Sequence, residues 1–299
     1  MIEINRQQMD SNIVRPILKI PRGEEDQVRQ QYLIERDLAN QLKTANKEAR
    51  IGLYSKVYDE LFNRVTWHPQ LINKVTSREK NAKVRDRMVL LSRFLKKYQN
   101  FLEVGPGDCA TSLKVSSMVN QVYAADVSKE IVGNVVFPKN MHFVLIDGLN
   151  FNLEKRSIDV AYSYQLMEHL HPEDAAGQLK NIYHLLTNDG IYICNTPNRL
   201  SGPHDISKYF EETSNGLHLK EYTLTELYWI FKEVGFDQIY FVKKIKGLIF
   251  KLRLNKFTIH FVKFVEWLLL LLPYRTRRRI AQSSLIFGDM TIMGRRRTD

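Results

Sequence analysis

The fold is decided by the stretch Asn100–Cys109, which reads NFLEVGPGDC. Its apolar run Phe101–Val104 predicts a buried strand, and the pattern from Asp108 to Met118 predicts a helix after it. Two glycines separated by one proline lie between the strand and the helix. Glycines at such a turn let the backbone approach a bound ligand closely. Because many turns need glycine for other reasons, the surrounding sequence has to decide whether a ligand is involved.

Short apolar strands alternate with helices beyond this turn. Further strands are predicted at Gln121–Asp126, His142–Ile146, Ile158–Ser163, Ile191–Asn195 and Phe236–Lys244. A helix is predicted over about Glu173–Leu186, and capping boxes at Thr76/Glu79 and Thr223/Glu226 predict two more helix starts. The alternation predicts an α/β fold, a doubly wound and mostly parallel sheet with helices on both faces.

Carboxylates mark the ends of three successive strands in this pattern. Glu103 lies two residues before Gly105, Asp126 ends the next strand, and Asp147 ends the strand after that. In a parallel sheet these ends line one ligand crevice, and a carboxylate at Asp126 can accept both hydroxyls of a ribose. The acidic lining indicates a nucleoside with positive charge and no pyrophosphate. S-adenosylmethionine fits this description, whereas NAD fits it poorly.

From about Asn100 to Ile245 the chain resembles the class I S-adenosylmethionine-dependent methyltransferases, in the branch of small-molecule and sugar O-methyltransferases. The motifs that carry the resemblance are, in chain order, Phe101–Asp108, Asp126, Asp147–Gly148, Ser157–Ser163 with Met167–Leu170, and Leu186–Asn198. The segments Asn195–Asp205 and Leu217–Tyr222 resemble methyltransferases of polysaccharide biosynthesis. Cys109 departs from the pattern, because many members have a third glycine there.

The resemblance implies a Rossmann-like sheet of the seven-stranded methyltransferase type, with the last strand antiparallel, and S-adenosylmethionine as the cofactor. The residues implied to bind it are Glu103, Gly105, Pro106, Gly107, Asp126, Val127, Asp147, Gly148, Ser163, Tyr164 and Gln165. In this branch the helices before the fold often cover the cofactor. Tyr54 and Tyr58 could belong to such a lid or to one packed helix face, since they lie four residues apart.

Transfer of a methyl group to an alcohol needs a base, and histidine is the usual choice near neutral pH. His169, His204 and His218 follow predicted strands on the side where the ligand crevice should lie, so they are the candidate catalytic residues. For each of them a structural role at a turn or helix start is the alternative. Asp205 is a candidate to orient His204.

No required metal is predicted. Gln165 occupies the first position at which some relatives use an acidic side chain, which makes Gln165-x-x-Glu168-His169 a poor divalent site. The segment Ser163–Leu166 also lacks the Asn-Pro-Pro-aromatic run expected of enzymes that methylate base amines. A hydroxyl acceptor is therefore preferred.

The charge of the chain is concentrated near its end. The 299 residues carry a net charge of +11, and the segment from Phe241 to Asp299 holds 14 basic residues against three acidic ones. The first 240 residues are therefore neutral, which argues against a cationic surface that coats nucleic acid.

Two cysteines indicate a reducing compartment, and the polar start Met1–Asn12 gives no signal peptide.

About forty residues separate the strand ending near Lys244 from a last strand predicted at Asp289–Gly294. Within them, Phe257–Tyr274 is strongly apolar, but its uncharged core is far shorter than the ~20 residues that a membrane-spanning helix needs. With basic residues on both sides, residues 257–279 could contact an anionic membrane surface, pair two chains as a homodimer, or wall a substrate pocket.

These observations predict four regions: an N-terminal helical extension or lid (1–95), the S-adenosylmethionine-binding methyltransferase core (96–246), a basic apolar helical insertion (247–288), and the last strand with a basic tail (289–299). The predicted function is O-methylation of a sugar, glycolipid or other small molecule. The alternatives are an RNA methyltransferase and a cofactor-binding scaffold without catalysis. The predicted location is the cytoplasm, with peripheral contact on the inner face of the membrane as a variant, and nucleic acid is not favoured as a partner.

Overall fold

A computed structural model describes residues 16–68, 77–128, 135–245, 247–283, 287 and 289–297. The helices are α1 (Glu25–Thr44), α2 (Lys47–Arg50), α3 (Leu53–Arg64), α4 (Ser77–Leu91), α5 (Ala110–Ser116), α6 (Pro172–Leu185), α7 (Leu224–Val234), α8 (Lys256–Leu270) and α9 (Tyr274–Ala281). The strands are β1 (Asn100–Val104), β2 (Gln121–Asp126), β3 (Met141–Leu145), β4 (Ile158–Tyr164), β5 (Leu186–Pro197), β6 (Gln238–Ile245), β7 (Leu248–Leu254) and β8 (Asp289–Arg295).

The strands form one sheet of eight, in the order β3-β2-β1-β4-β5-β8-β6-β7. Strands β1 to β5 pair in parallel, and β8 lies antiparallel between β5 and β6. The sheet reverses its order beside β1, so the ends of β1, β2 and β4 meet at a topological switch point. The predicted fold class is confirmed, including the antiparallel last strand.

The core has a cluster on each side of this sheet. Residues alternate in direction along a strand, so Phe101 packs with one cluster and its neighbour Leu102 with the other. Helices α6, α7 and α8 contribute to the cluster that contains Leu102, whereas α4 and α5 cover the opposite face. Both faces of β1 are therefore buried, which explains the apolar residues Phe101, Leu102 and Val104.

The first helix packs against the rest of the described protein through an apolar stripe. Helix α1 buries Val28, Tyr32, Leu38 and Leu42, the four residues that define the stripe.

The capping box predicted at Thr76 falls outside the described residues, and α4 begins at Ser77. The capping box at Thr223 and Glu226 is confirmed, and Gly235 ends α7 in the left-handed region, with φ of 117°.

The prediction of a purely helical insertion after residue 246 is wrong in its first part. Residues 248–254 form β7, which pairs antiparallel with β6 and adds an edge strand to the sheet. Gly247, with φ of 80°, allows the tight return. The rest of the insertion is helical, as α8 and α9. Among the described residues, no helix is both long and apolar enough to span a membrane.

We expect Gly294→Ala to lower the free energy of unfolding by about 1–3 kcal/mol, because β8 passes too close to α7 for a side chain. A Cβ at Gly294 would lie 2.6 Å from Phe236 Cδ1 and 2.8 Å from Phe231 Cδ1. Urea unfolding measures the effect. Gly177→Ala is the matched control, since a Cβ at this helical position meets nothing within 4 Å, and it should stabilise by roughly 0.5–1 kcal/mol. Equal responses of the two variants would contradict the close approach.

Candidate functional site

A cavity opens where β1, β2 and β4 end, and we call it the cofactor cavity. Its walls come from the glycine turn after β1, the end of β2, the turn after β4 and one side of α3. The residues that line it are Tyr54, Ser55, Tyr58, Asp59, Phe62, Val104, Gly105, Gly107, Ala125, Asp126, Val127, Ser128, Ile146, Gly148, Gln165, Leu166, His169, Leu170 and Gln178. Six of the predicted cofactor residues are in this set: Gly105, Gly107, Asp126, Val127, Gly148 and Gln165.

The glycine turn is fixed by Asp126 at the end of β2. One carboxylate oxygen, Oδ1, accepts hydrogen bonds from the backbone N–H of Val127 at 2.7 Å and of Ser128 at 3.4 Å. The other, Oδ2, accepts from Gly107 N at 3.4 Å. Burial raises the pKa of Asp126, while these donors oppose the shift. The side chain keeps acceptor capacity for ribose hydroxyls at the cavity wall.

Backbone conformation explains the residue types in this turn. Gly105 and Gly107 have φ of 68° and 56°, values that favour glycine. Cys109, the departure from the family pattern, has φ of 57° and is buried. The turn therefore keeps the left-handed conformation at all three positions, at a cost of about 1–2 kcal/mol for the cysteine. Burial also raises the pKa of the Cys109 thiol to about 12, so it is not a nucleophile near neutral pH.

Glu103 lies behind the turn and does not line the cavity. Its carboxylate accepts a hydrogen bond from the Ser112 hydroxyl on α5, and burial raises its pKa to about 7. Asp147 is engaged locally, because its oxygens accept from the backbone of Leu149 and from both nitrogens of Asn150, at 2.7 to 2.8 Å. Partial burial acts against these donors, yet the net effect lowers the pKa of Asp147.

The other predicted cofactor residues also lie away from the cofactor cavity. Pro106 is buried in the turn itself. Ser163 is buried in the central strand β4, with its hydroxyl 2.7 Å from the Tyr192 hydroxyl. Tyr164 faces a different cavity, with the Arg87 guanidinium 4.0 Å from its ring centroid.

Helix α3 forms the wall opposite the sheet. Tyr54 and Tyr58 are both part of a packed helix face and part of the cavity lining, so the two interpretations of this segment hold together. The Tyr54 hydroxyl donates to Asp174 Oδ2 at 2.7 Å and accepts from His171 N at 2.9 Å. Arg50 binds the same carboxylate at 2.6 and 3.0 Å. These buried contacts hold α3 against the start of α6.

A second cavity lies beside the first, toward β5, β6 and β8. Its lining is polar and includes Asp86, Arg87, Leu90, Tyr162, Tyr164, Asn195, Ser201, His204, Val242, Lys243, Lys244, Gln282 and Thr291. Gln165 lines the cofactor cavity, and its Nε2 donates to Asn195 Oδ1 of the second cavity at 2.9 Å. Asn195 Nδ2 donates in turn to Thr291 Oγ1 at 2.9 Å. The Gln165–Asn195 hydrogen bond thus joins the linings of the two cavities.

Of the three candidate histidines, only His169 lines the cofactor cavity. Its Nδ1 lies 3.0 Å from the carbonyl oxygen of Leu217, which can only accept and so assigns the proton to Nδ1. The free Nε2 is then an acceptor. Burial, followed by the charge of His218, lowers the pKa of His169 to about 3. His169 is therefore neutral and a weak base near neutral pH.

His204 and His218 share one buried carboxylate, Glu221. Its Oε1 lies 2.8 Å from His218 Nδ1 and accepts from His204 N at 2.7 Å, and its Oε2 lies 3.2 Å from His204 Nδ1. Burial alone would raise the pKa of Glu221, but the two histidines lower it to about 2. Burial alone would lower the pKa of His218, but Glu221, Glu168 and Asp205 raise it to about 9.

His204 and His218 occupy different places. His204 lines the second cavity, with Nε2 3.2 Å from the Ser201 hydroxyl, whereas His218 lines neither cavity. The expected partner of His204, Asp205, instead caps a short 3-10 helix, Ile206–Tyr209, and accepts from Ser207 N at 3.0 Å.

Glu168, His169 and His218 come together as a cluster whose potential ligand atoms lie within 4.8 Å of one another. Glu168 is fully buried, accepts from Thr196 Oγ1 at 2.8 Å, and has its pKa raised by burial to about 7. His218 already binds Glu221 and is protonated at neutral pH, which disfavours a cation there. That no metal is required stays a prediction.

Phe62, Leu166, Gln178 and Glu221 were missed as site residues. Gln178 Nε2 donates to Gly148 O at 2.7 Å from α6. A glutamine within an amphipathic helix gives no sequence signal for such a role. Glu221 follows His218 by three residues, a spacing that could have indicated the pair.

Comparison with known proteins agrees with this geometry. Residues 102–194 match the profile of a family described as "Methyltransferase domain". A Haloferax volcanii methyltransferase, solved in complex with the Trm112 methyltransferase activator, superimposes with a TM-score of 0.50 at 12% identity, over 74% of this chain and 95% of that one. A Haemonchus contortus phosphoethanolamine N-methyltransferase, solved with phosphoethanolamine and S-adenosylhomocysteine, gives 0.51 at 12% identity, over 85% of this chain and 50% of that one. No curated protein matches the sequence.

Residues 102–194 therefore match a methyltransferase domain, and S-adenosylmethionine stays the predicted cofactor. The cofactor cavity fits this ligand, because two lining positions are glycine and leave room beside it. A Cβ on Gly148 would lie 3.3 Å from the Tyr54 ring, and a Cβ on Gly105 would lie 3.0 Å from Leu166. Asp126 offers the carboxylate for the ribose at the same wall.

Asp126→Ala should weaken binding of S-adenosylhomocysteine by about 10- to 150-fold, the loss expected when a charged hydrogen-bond acceptor is removed. The substitution also releases Gly107 N and so loosens the turn. Isothermal titration calorimetry measures the affinity. Asp237→Ala, at an exposed aspartate that lines neither cavity, is the control and should leave the affinity unchanged. Wild-type affinity in Asp126→Ala would show that the cofactor binds elsewhere.

The protonation of His218 makes stability depend on pH. In the folded chain the pKa of His218 is raised from 6.5 to about 9. The stabilisation is therefore complete below about pH 6.5 and is lost as the pH rises through about 9. His218→Gln should lower the free energy of unfolding by roughly 3 kcal/mol at pH 6.5, because Glu221 loses its buried cation, and by progressively less toward pH 9 and above.

Chemical unfolding of the wild type and of His218→Gln across this pH range measures the difference between them. The difference isolates His218 from the buried glutamates, whose raised pKa values also make stability fall with pH. His142→Gln, at an exposed histidine on β3, is the control and should give a small, flat difference. A flat difference for His218→Gln would mean that His218 is not protonated in the folded chain.

Proposed function

We propose that the chain transfers the methyl group of S-adenosylmethionine to a hydroxyl group of a sugar, glycolipid or similar small molecule that binds in the second cavity. The observation that carries this proposal is the pair His204–Glu221. It places an imidazole in a polar cavity, with Nε2 3.2 Å from the Ser201 hydroxyl, and the Gln165–Asn195 hydrogen bond joins the lining of this cavity to that of the cofactor cavity. The lining of that cavity supplies hydroxyl, amide and ammonium groups that suit a hydroxylated acceptor.

In the proposed mechanism His204 is the general base. The Glu221 carboxylate accepts from Nδ1 of His204, which fixes the tautomer with the lone pair on Nε2 and leaves that nitrogen facing Ser201. Because the pKa of Glu221 is about 2, this carboxylate stays ionised and can stabilise the imidazolium that forms when the base takes a proton. The arrangement is a base with its orienting acid.

S-adenosylmethionine, when bound, supplies an electrophilic methyl carbon on a sulfonium. Asp126 and the glycine turn would hold its nucleoside, and Tyr58 and Phe62 would exclude water from the cofactor cavity. Nε2 of His204 would take the acceptor's hydroxyl proton as the acceptor oxygen is methylated. The products would be a methyl ether, S-adenosylhomocysteine and the proton held by His204, so atoms and charge balance. Alignment of oxygen, carbon and sulfur contributes much of the rate.

The other two histidines support the reaction without acting as bases. His169, with its pKa lowered to about 3, can accept a hydrogen bond in the cofactor cavity but takes up no proton near neutral pH. His218, with its pKa raised to about 9, is a fixed cation that holds Glu221 in place. This division assigns one of the three candidates to catalysis and two to positioning.

His204→Gln should lower kcat by about 10²- to 10⁴-fold, the usual contribution of a general base, with unchanged affinity for S-adenosylhomocysteine. The first step is to locate the acceptor by incubating the enzyme with radiolabelled S-adenosylmethionine and total lipid, glycan and RNA fractions. We expect label in the glycan or lipid fraction, stable to mild base as an ether is.

Kinetics on the labelled acceptor then compare His204→Gln with His142→Gln, an exposed histidine on β3, and with His169→Gln. Only His204→Gln should lower kcat by this amount. Label confined to RNA would overturn the acceptor class, whereas full activity of His204→Gln would overturn the base. No transfer into any fraction, with intact cofactor binding, would favour a scaffold without catalysis.

A further inference from the structure

Exposed apolar side chains are concentrated in one part of the described chain. Among the residues that the structure describes, sixteen large hydrophobic ones are exposed, and ten of these lie between Leu248 and Leu271. We call this surface the docking face; it comprises Leu248, Phe250 and Leu252 on β7 and Phe257, Phe261, Phe264, Trp267, Leu268, Leu270 and Leu271 on or just after α8. A patch of this kind on a soluble domain indicates a binding surface.

Helix α8 has two apolar sides, of which only one is covered. Ile259, Val262 and Leu269 are buried in the core cluster against α7. At 100° per residue, Phe257, Phe261, Phe264, Leu268 and Leu271 fall within one narrow arc on the opposite side. Phe257 is 83% exposed and Phe261 64%. The helix thus turns a stripe of large aromatic and aliphatic side chains away from the protein.

Strand β7 adds to this stripe from the same side of the sheet. Leu248, Phe250 and Leu252 point in one direction along the strand, as does Leu254. Leu254 is buried in the same core cluster as the inner side of α8. The three exposed residues of β7 therefore lie on the side of the sheet that α8 occupies, so that strand and helix present one continuous apolar surface.

The exposed charges of the segment that carries the docking face have a single sign. Lys256, Lys263, Arg275 and Arg279 are exposed around the face, and Lys251 and Arg253 are exposed on the other side of β7. From residue 248 to 283 the sequence holds one carboxylate, Glu266, which is buried and accepts a hydrogen bond from Thr225 N at 3.1 Å. The exposed surface of this segment thus has basic side chains and no acidic ones.

We propose that the docking face binds the surface of an anionic lipid bilayer, with α8 lying in the plane of the interface. Phenylalanine, tryptophan and leucine on one side, with lysine and arginine at the rim, are the pattern of helices that insert into the headgroup region. The basic rim matches the negative potential of anionic lipids. A protein partner of similar size would need a complementary acidic rim, and a second copy of this chain offers none at this surface.

The docking face adjoins the second cavity through α9. This helix packs on the short 3-10 helix Arg199–Ser201, and the residue after it, Gln282, lines the cavity with Nε2 3.4 Å from Ser201 O. Binding to a bilayer would therefore bring the acceptor cavity close to the lipid surface. An acceptor that is itself anchored in the membrane fits this arrangement.

Vesicle flotation of the full chain tests the proposal. We expect it to float with vesicles of phosphatidylcholine mixed with phosphatidylglycerol at low salt, and to float far less with phosphatidylcholine alone or at high salt. Phe261→Asp should lower the partition coefficient roughly tenfold or more. The matched control is Tyr98→Asp, at an aromatic residue that is 72% exposed but lies outside the docking face.

Charge reversal tests the rim separately. Lys256→Glu with Lys263→Glu should lower binding to the mixed vesicles roughly tenfold or more, whereas Lys139→Glu with Lys155→Glu, at exposed lysines elsewhere, should change it little. Titration of S-adenosylhomocysteine into each variant checks that the fold is intact. This affinity does not depend on vesicles, so failure here is distinguishable from failure of the proposed reaction.

Three outcomes would overturn the proposal. The first is wild-type protein that does not float with the mixed vesicles at low salt. The second is undiminished flotation of Phe261→Asp. The third is a wild-type dimer in lipid-free light scattering that Phe261→Asp converts to a folded monomer, because a second copy would then cover the docking face.

Discussion

Parallel pairing of β1 with β2 and β4, and of β4 with β5, brings the carboxyl ends of four strands to one edge of the sheet. The register of this pairing fixes which residues meet at that edge. These strands are largely buried on both faces, so polar groups that face a ligand can be placed only near the point where a strand stops. Asp126, Gln165 and Asn195 follow from this constraint, and so do the two cavities that they line.

Because so many polar groups meet at one buried edge, their charges must balance. Glu221 stays ionised in the interior only because His204 and His218 both bind it, and His218 stays protonated only because of Glu221 and neighbouring carboxylates. The same charge suppresses protonation of His169, whose ring lies 4.7 Å from that of His218. The properties of the three histidines are therefore coupled, which explains how residues of one type take different roles.

The local pattern sufficed to predict the strands, the glycine turn and the place of Asp126, because apolar periodicity and turn chemistry are properties of neighbouring residues. It did not predict the partner of His204. Asp205 adjoins that histidine in sequence but caps a helix, whereas Glu221 reaches it from 17 residues away. Strand β7 was missed for a similar reason, since Leu248–Leu254 becomes a strand only by pairing with β6. Contacts that depend on tertiary structure leave little trace in a single sequence.

The position of the insertion separates the chemistry from the basic surface. Between β6 and β8 the chain can be extended without disturbing β1, β2, β4 or β5, which carry the site. The added β7 makes a new sheet edge with apolar side chains, an arrangement that invites association with other strands. Lys251 and Arg253 alternate with those apolar residues and oppose such pairing by charge repulsion. The same alternation of basic and apolar residues suits an anionic interface, so one segment can protect the sheet edge and still offer a surface for binding. The residues that line the cofactor cavity all lie within the neutral first 240 residues.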